Sequence, residues 1–372
     1  MQCPARPPAP PRRKGAIRLG AILREAARDI ATGTTRFAGF SILLAIAISG
    51  LISADGIAIA RQIAEAEDFR EAGGSTQILT AEGRIDPAQC ERLGDLPDVV
   101  ASGALRSDAD KVRVSVLPNA PVPSFEVSPG FADVLSARSG NRSGTLISRD
   151  LALDVGAQVG ESIATDRGSM TVASTFAYPS DGRRPGLGYA VLSITADPSG
   201  FDECWVTAWP QLTNLRALLF GTMTPGSDPA SKPQISQLNT SHGLSVAGEA
   251  GFLGRLTRAA VPVAAMVGVG LGFVSVRLRR LQLASALHAG VRRVDLISTQ
   301  LLQALAWASS AAVIGLALAG VTASFVPGED QGAVFDAVSG IPLAAAVGAV
   351  GGAFVATLSA REKQLYRYFA ER

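Results

Sequence analysis

Four stretches of the chain are apolar and free of charge over a length that suits a membrane crossing. They are Phe37 to Ala54, Ala259 to Val276, Leu296 to Val326 and Ile341 to Ala360. A helix rises 1.5 Å per residue, so about 20 apolar residues cross a hydrocarbon layer of about 30 Å. The pattern predicts four spanning helices, at 37–56, 256–276, 296–326 and 341–360. A cleaved signal peptide is the rival reading of the first, because Ser53 and Ala54 are small. The charged region before it is too long for a signal, and its apolar run exceeds the usual core of about 7–15 residues. A retained span is the better reading. Ahead of it, residues 1–15 are rich in Pro and Arg and are expected to be disordered. In 16–36, Ile17, Ile22, Leu23, Ala26 and Ile30 recur at helical spacing among Arg18, Arg24, Glu25, Arg28 and Asp29. That is a basic amphipathic helix suited to the headgroup layer.

Residues 57–255 have soluble composition and mixed periodicity, and predict an α+β domain. Asp86 and Pro87 begin a capped helix through Leu96. Val112, Val114 and Val116 alternate as in a half-buried strand over Lys111–Leu117. Ser162–Thr165 and Met170–Thr175 flank Asp166-Arg167-Gly168-Ser169 as a hairpin. Tyr189–Ile194 and Glu203–Ala208 read as strands, and Gln211–Phe220 as a helix. Ile57–Ala72 and Glu249–Arg258 are expected to extend spans one and two outward as stalk helices.

Charge gives the orientation. Arg6, Arg12, Arg13, Lys14, Arg18, Arg24, Arg28 and Arg36 precede span one. The 277–295 connection holds Arg277, Arg279, Arg280, Arg292 and Arg293 against Asp295 alone, and the 361–372 tail holds Arg361, Lys363, Arg367 and Arg372. The 327–340 connection holds Glu329, Asp330 and Asp336 and no base. Basic segments stay in the cytoplasm, so both termini are expected inside and 57–255 outside. Only 18% of the 372 residues are charged, against about 25% in soluble proteins. The net charge of +2 gives no reason to expect a nucleic-acid partner.

Candidate chemistry is sparse. No Gly-rich loop ends in Gly-Lys-Ser or Gly-Lys-Thr, so the chain carries no phosphate-binding loop of its own. There is no His-Glu-x-x-His, no Cys-x-x-Cys and no Gly-x-Ser-x-Gly. The two histidines, His242 and His288, lie in polar stretches and cannot build a metal site alone. No catalytic, cofactor or metal residue is assigned. Asp55 reads as an interfacial cap at the outer end of span one, with an intramembrane functional acid as the alternative. Cys90 and Cys204 fall in the external region, where two thiols can pair; two separate buried thiols is the other reading. Gly268 with Gly272, and Gly348 with Gly352, are small-residue pairs four apart that let helices approach closely.

The order of parts, one span, an external domain, then three spans, resembles the FtsX/MacB-like permease family of ATP-binding cassette systems, of the type VII, mechanotransmission kind. Two segments carry the likeness. Arg277 to Arg293 reads RLRRLQLASALHAGVRR, where the family has a basic, often Arg-Glu-containing start, an Ala-Leu-x-Ala-Leu-Gly-Ala-like turn and a polar or basic pair. Here the acid is missing and the small pair is Ala289-Gly290. Leu146–Ala152, followed by Val155–Ile163, resembles the family's external domain. The resemblance implies a permease subunit that binds no cofactor, with ATP held by a separate cassette ATPase subunit. It implies assembly as a homodimer or with a paralogous permease. Ala289, Gly290, Arg292 and Arg293, with the amphipathic N-terminal helix, become the expected ATPase contact. Export, extrusion of peptides or drugs, pulling on lipoproteins and regulation of cell-wall hydrolases all fit the family. A membrane receptor or scaffold without an ATPase, and an anchored external hydrolase, are readings of other classes.

Overall fold

The computed structural model describes residues 20, 24, 27–29, 31–33, 36–137, 144–225, 232–246, 248, 251, 254–326 and 330–359. The N-terminal 1–15 segment and the tail from 360 lie outside the described residues. Of the expected amphipathic helix over 16–36, Gly20, Arg24, Ala27, Arg28, Asp29 and Ala31 are helical, whereas Thr32 and Gly33 form a turn and Arg36 is not helical. The chain divides into two compact units, Met1–Gln62 with Gly251–Arg372, and Ile63–Ala250.

In chain order the elements are α1 (Phe37–Glu71), β1 (Thr76–Ile85), α2 (Pro87–Arg92), β2 (Val99–Ser107), β3 (Ser124–Val127), α3 (Phe131–Val134), β4 (Gly144–Ser148), α4 (Arg149–Val155), β5 (Ser162–Thr165), β6 (Gly168–Phe176), β7 (Val191–Ile194), β8 (Phe201–Ala208), α5 (Leu215–Phe220), β9 (Gln234–Gln237), α6 (Ala260–Arg277), α7 (Arg280–His288), α8 (Arg293–Ser324) and α9 (Gln331–Ser359).

Among the described residues, four helices are long and apolar enough to cross a membrane: α1, the Leu256–Arg277 stretch ending in α6, α8 and α9. In this unit α1 meets α8 through Phe40 on Trp307, with ring centroids 5.5 Å apart, and through Ser41, whose hydroxyl reaches the Trp307 carbonyl at 3.2 Å. Further along, Ile48 lies against Gly315 and Gly56 against Thr322. Contacts that advance together along both helices mean that α1 and α8 run parallel. Helix α6 lies on α9 in the same sense, with Gly268 at Ala345 and Gly272 at Ala349. Spans one and three therefore share one direction, and spans two and four share one.

The second unit is built on a mixed nine-stranded sheet of order β5-β6-β4-β7-β3-β2-β8-β1-β9. The β3–β7 and β4–β6 pairs are parallel and the others antiparallel. One core cluster gathers Ile78, Phe131, Phe176 and Trp205; a second gathers Leu79, Ile85, Phe201, Val206 and Leu219. Local chemistry starts α2 where the sequence suggests. Asp86 accepts from the backbone N–H groups of Ala88 and Gln89 at 2.9 and 3.1 Å, and Pro87 occupies the first turn, where its missing donor costs nothing. The β5–β6 hairpin turns on Asp166-Arg167, with Gly168 at φ +113°.

Four expectations are corrected. Lys111–Leu117 is not a strand: Val112 and Val114 make isolated bridges, to Val122 and Thr165, and Val116 is 64% exposed. Val112 and Val122 exchange both backbone hydrogen bonds, but Pro121 and Pro123 flank Val122 and have no N–H with which to extend the ladder. The helix expected over Gln211–Phe220 starts only at Leu215. Most of the expected 327–340 loop is helical, since α9 begins at Gln331. Finally, Glu249–Arg258 does not run on into span two as one helix. Arg255 is extended, at φ −62° and ψ 134°, and a 3-10 turn over Leu256–Ala259 precedes α6.

Candidate functional site

The basic connection between spans two and three folds into the short helix α7. Helix α6 ends at Arg277, and the chain turns at Leu278 and Arg279, the latter at φ −106° and ψ 11°. The helix buries Leu283 and Ala284. Leu283 and Leu287 line a small cavity of about 20 Å³ with Leu296 and Ile297 of α8 and Leu358 of α9. That apolar seam, and not propensity, holds so short a helix in place.

The C-terminus of α7 closes as a Schellman motif. The Val291 N–H donates to the Ala286 carbonyl at 3.1 Å and the Gly290 N–H to Leu287 at 3.0 Å. Gly290 sits in the left-handed region at φ +88°, where an L side chain is strained. Arg292 then starts α8 in extended conformation, and its carbonyl accepts from Asp295 and Leu296. Ala289, Gly290, Arg292 and Arg293 thus share one exposed turn. Nothing lies within 4 Å of a Cβ placed on Gly290. Its small size therefore serves the turn within this chain.

Each paired glycine lies against the backbone of the facing helix. A Cβ on Gly268 would stand 2.1 Å from the Ala345 carbonyl oxygen, and one on Gly272 would stand 1.9 Å from that of Ala349. In return, a Cβ on Gly348 would reach the Ala265 oxygen at 2.3 Å and one on Gly352 the Val269 oxygen at 2.1 Å. The two helix backbones touch along this seam.

In the first unit, the partners of two carboxylates, Asp55 and Asp29, escaped the sequence reading. At one end, Asp55 is 2% exposed, and its carboxylate accepts from Arg255 Nε at 2.9 Å. Asp55 is therefore a buried partner and not a water-facing cap. A buried carboxylate needs a paired cation, and the extended backbone at Arg255 lies where that cation is supplied. At the other end, Asp29 meets Arg279 and Gln303. A signal for the second cluster was present: Gln300 and Gln303 are amides inside an otherwise apolar run, and both are buried.

In the second unit, Cys90 of α2 and Cys204 of β8 form a disulfide with Cα atoms 5.8 Å apart. The last turn of α1 enters the sheet through a second Schellman motif, with Gly73 at φ +82° and the Gly74 N–H on the Phe69 carbonyl at 2.8 Å. Its terminal carbonyls are capped from elsewhere in the domain. Arg183 donates to Glu71 at 2.5 Å, and Asn239, 1% exposed, donates to Ala72 at 3.1 Å. Arg183 also lies over the Tyr178 ring. Burial pushes the Tyr178 hydroxyl up to about 12, against the pull of Arg183 and Arg184. Among the described residues, no three His, Cys, Asp or Glu side chains converge as metal ligands.

No protein-family model and no curated protein matches the chain. Solved structures do. The periplasmic region of MacB from Actinobacillus actinomycetemcomitans is similar over 46% of this chain and 93% of its own, at 9% identity and a TM-score of 0.33. The extracellular domain of the noncanonic ABC-type transporter YknZ from Gram-positive bacteria is similar over 44% of this chain and all of its own (100%), at 10% identity and a TM-score of 0.28.

Proposed function

We propose that the chain is the permease subunit of an ATP-binding cassette system, with both termini and α7 in the cytoplasm and the mixed-sheet domain outside. The observation that carries this reading is α7 itself. It is a short, well-seated helix ending in an exposed turn with Arg292 and Arg293, in a chain whose sequence holds no phosphate-binding loop. A surface of that kind suits a partner with a complementary acidic groove. In this reading ATP binding and hydrolysis on a separate subunit displace α7. Spans two and three move with it, and the motion reaches the outer domain through α1, which runs unbroken from uncharged residues to Glu71. Two permease copies, or one copy and a paralogue, complete the assembly. The work done outside is export, extrusion or mechanotransmission.

The test is isolation of the full chain from its own membranes, with the ATPase identified by mass spectrometry. Gly290→Trp would confuse strain with contact, because Gly290 needs its left-handed backbone. Ala289→Trp places the same bulk on ordinary helical backbone at φ −71°. Ala289→Trp, and separately Arg292→Glu with Arg293→Glu, are expected to abolish co-purification of the ATPase while Gly290→Asn retains it. Retention in both disruptive variants would refute the contact. Failure of the unaltered chain to bring down any ATPase would refute the reading and favour a membrane receptor or scaffold.

A further inference from the structure

At the cytoplasm-facing end proposed above, one carboxylate ties three segments together. Asp29 Oδ2 accepts from Arg279 Nη2 at 2.9 Å and from Gln303 Nε2 at 2.9 Å. Arg279 Nη1 donates to Gln303 Oε1 at 2.5 Å, and its Nε donates to Gln282 Oε1 at 2.9 Å. Gln303 is 4% exposed. The guanidinium fork therefore bonds the N-terminal helical stretch, span three and the first turn of α7 at once.

Arg279 is also the hinge residue. The chain leaves α6 at Arg277 and enters α7 at Arg280, so the torsions at Leu278 and Arg279 set the direction of α7. Its apolar contacts with α8 and α9 lie at Leu283 and Leu287, about one and two turns beyond Arg279. A planar fork held by three acceptors fixes the Arg279 end in a way a point charge does not. We infer that Asp29 is a positioning residue: through Arg279 it sets the direction of α7, and so where the Arg292–Arg293 turn is presented. The orientation claim stands on geometry alone, and its functional consequence rests on the permease reading.

The experiment uses the full chain in lipid nanodiscs, with Cys3→Ser and spin labels at Ser285 on α7 and Gly332 near the start of α9. Distances are read by pulsed electron resonance, with a second label pair on α8 and α9 as the folding control. The unaltered chain should give one narrow distribution. Asp29→Ala and Arg279→Lys should broaden it or add a second population without moving the control pair, and exchange of the charges (Asp29→Arg with Arg279→Asp) should narrow it again. Arg279→Lys keeps the positive charge, so it decides the matter if Asp29→Ala does not fold. An unchanged distribution in a folded Asp29→Ala or Arg279→Lys chain overturns the inference. A second readout is the ATP hydrolysis of the co-purified ATPase. Asp29→Ala should lower the hydrolysis per ATPase bound by about two- to thirtyfold, the range of coupling changes from such residues. If no ATPase binds the unaltered chain, the permease reading falls, and the label distances still decide whether Asp29 orients α7.

Discussion

The seam between α6 and α9 permits a sharp test, because each glycine on it has a counterpart on the same helix that touches nothing. Replacing Gly272 with Ala places a methyl group 1.9 Å from the Ala349 oxygen, where ordinary contact begins at 3.4 Å. Relief needs about 1.5 Å of separation if the helices move straight apart, and the atom in the way is backbone, which cannot swing aside. A gap of 0.5–1 Å already forfeits a quarter to a half of each dispersion contact, and overpacking of this kind costs about 1–3 kcal/mol. In a membrane the loss is not offset elsewhere, since close packing is what holds such helices together. A methyl group added at Gly270 on α6 or Gly351 on α9 would meet nothing within 4 Å. Gly270→Ala and Gly351→Ala should therefore be neutral or slightly stabilising, as expected for Ala in a helix. The assay is reversible unfolding of the full chain in bicelles. Gly272→Ala and Gly352→Ala should each fall by about 1–3 kcal/mol, and together by less than their sum, because one opened seam accommodates both methyl groups. Equal stabilities for Gly272→Ala and Gly270→Ala would refute the reasoning.

Three further outcomes follow from the mixed-sheet domain. Cys90 and Cys204 are 114 residues apart, so Cys90→Ser with Cys204→Ser should destabilise the domain by up to about 4–5 kcal/mol in denaturant titration. Asn239→Leu leaves the Ala72 carbonyl without its buried donor, and should cost about 1–3 kcal/mol, with faster hydrogen exchange at Gly73 to Thr76. Asp197 accepts from the Ser199 hydroxyl at 2.6 Å, from the Ser199 N–H at 3.0 Å and from Arg106 at 3.1 Å, and these bonds hold its carboxyl down at about 2. Its folded-state value is depressed, so its contribution is present above about pH 4 and lost as pH falls through about 2; Asp197→Asn should flatten acid unfolding over that window.

The spans were legible because uncharged runs and basic flanks report directly on the solvent around them. The start of α2 was legible because Asp86 and Pro87 are local signals; its end was not, since the helix stops at Arg92 and a 3-10 turn over Leu93–Asp95 follows. The core strands β1, β2 and β4 were not. Thr76–Ile85 mixes Thr, Gln and Glu among its apolar residues, and its role is set by pairing with β8 and β9, remote in sequence. Val112, Val114 and Val116 misled because alternation does not report ladder pairing: Val112 and Val114 are buried, Val116 is exposed, and the prolines that stop the ladder lie beyond them. At the site, Ala289 to Arg293 was legible as a basic turn, but the requirement for Gly290 comes from a backbone angle that composition does not display. Asp29 and Arg279 are 250 positions apart, and so are visible only in three dimensions.

The proposed function requires α7 and the mixed-sheet domain to lie on opposite sides of the membrane. Single cysteines at Ser169, Asp330 and Ala289, in a Cys3→Ser chain, test this in intact cells with an impermeant thiol reagent. All three positions are exposed. Ser169→Cys and Asp330→Cys should react from outside, and Ala289→Cys only after lysis. Labelling of Ala289→Cys in intact cells would place α7 outside, away from ATP, and contradict the proposed function at its root.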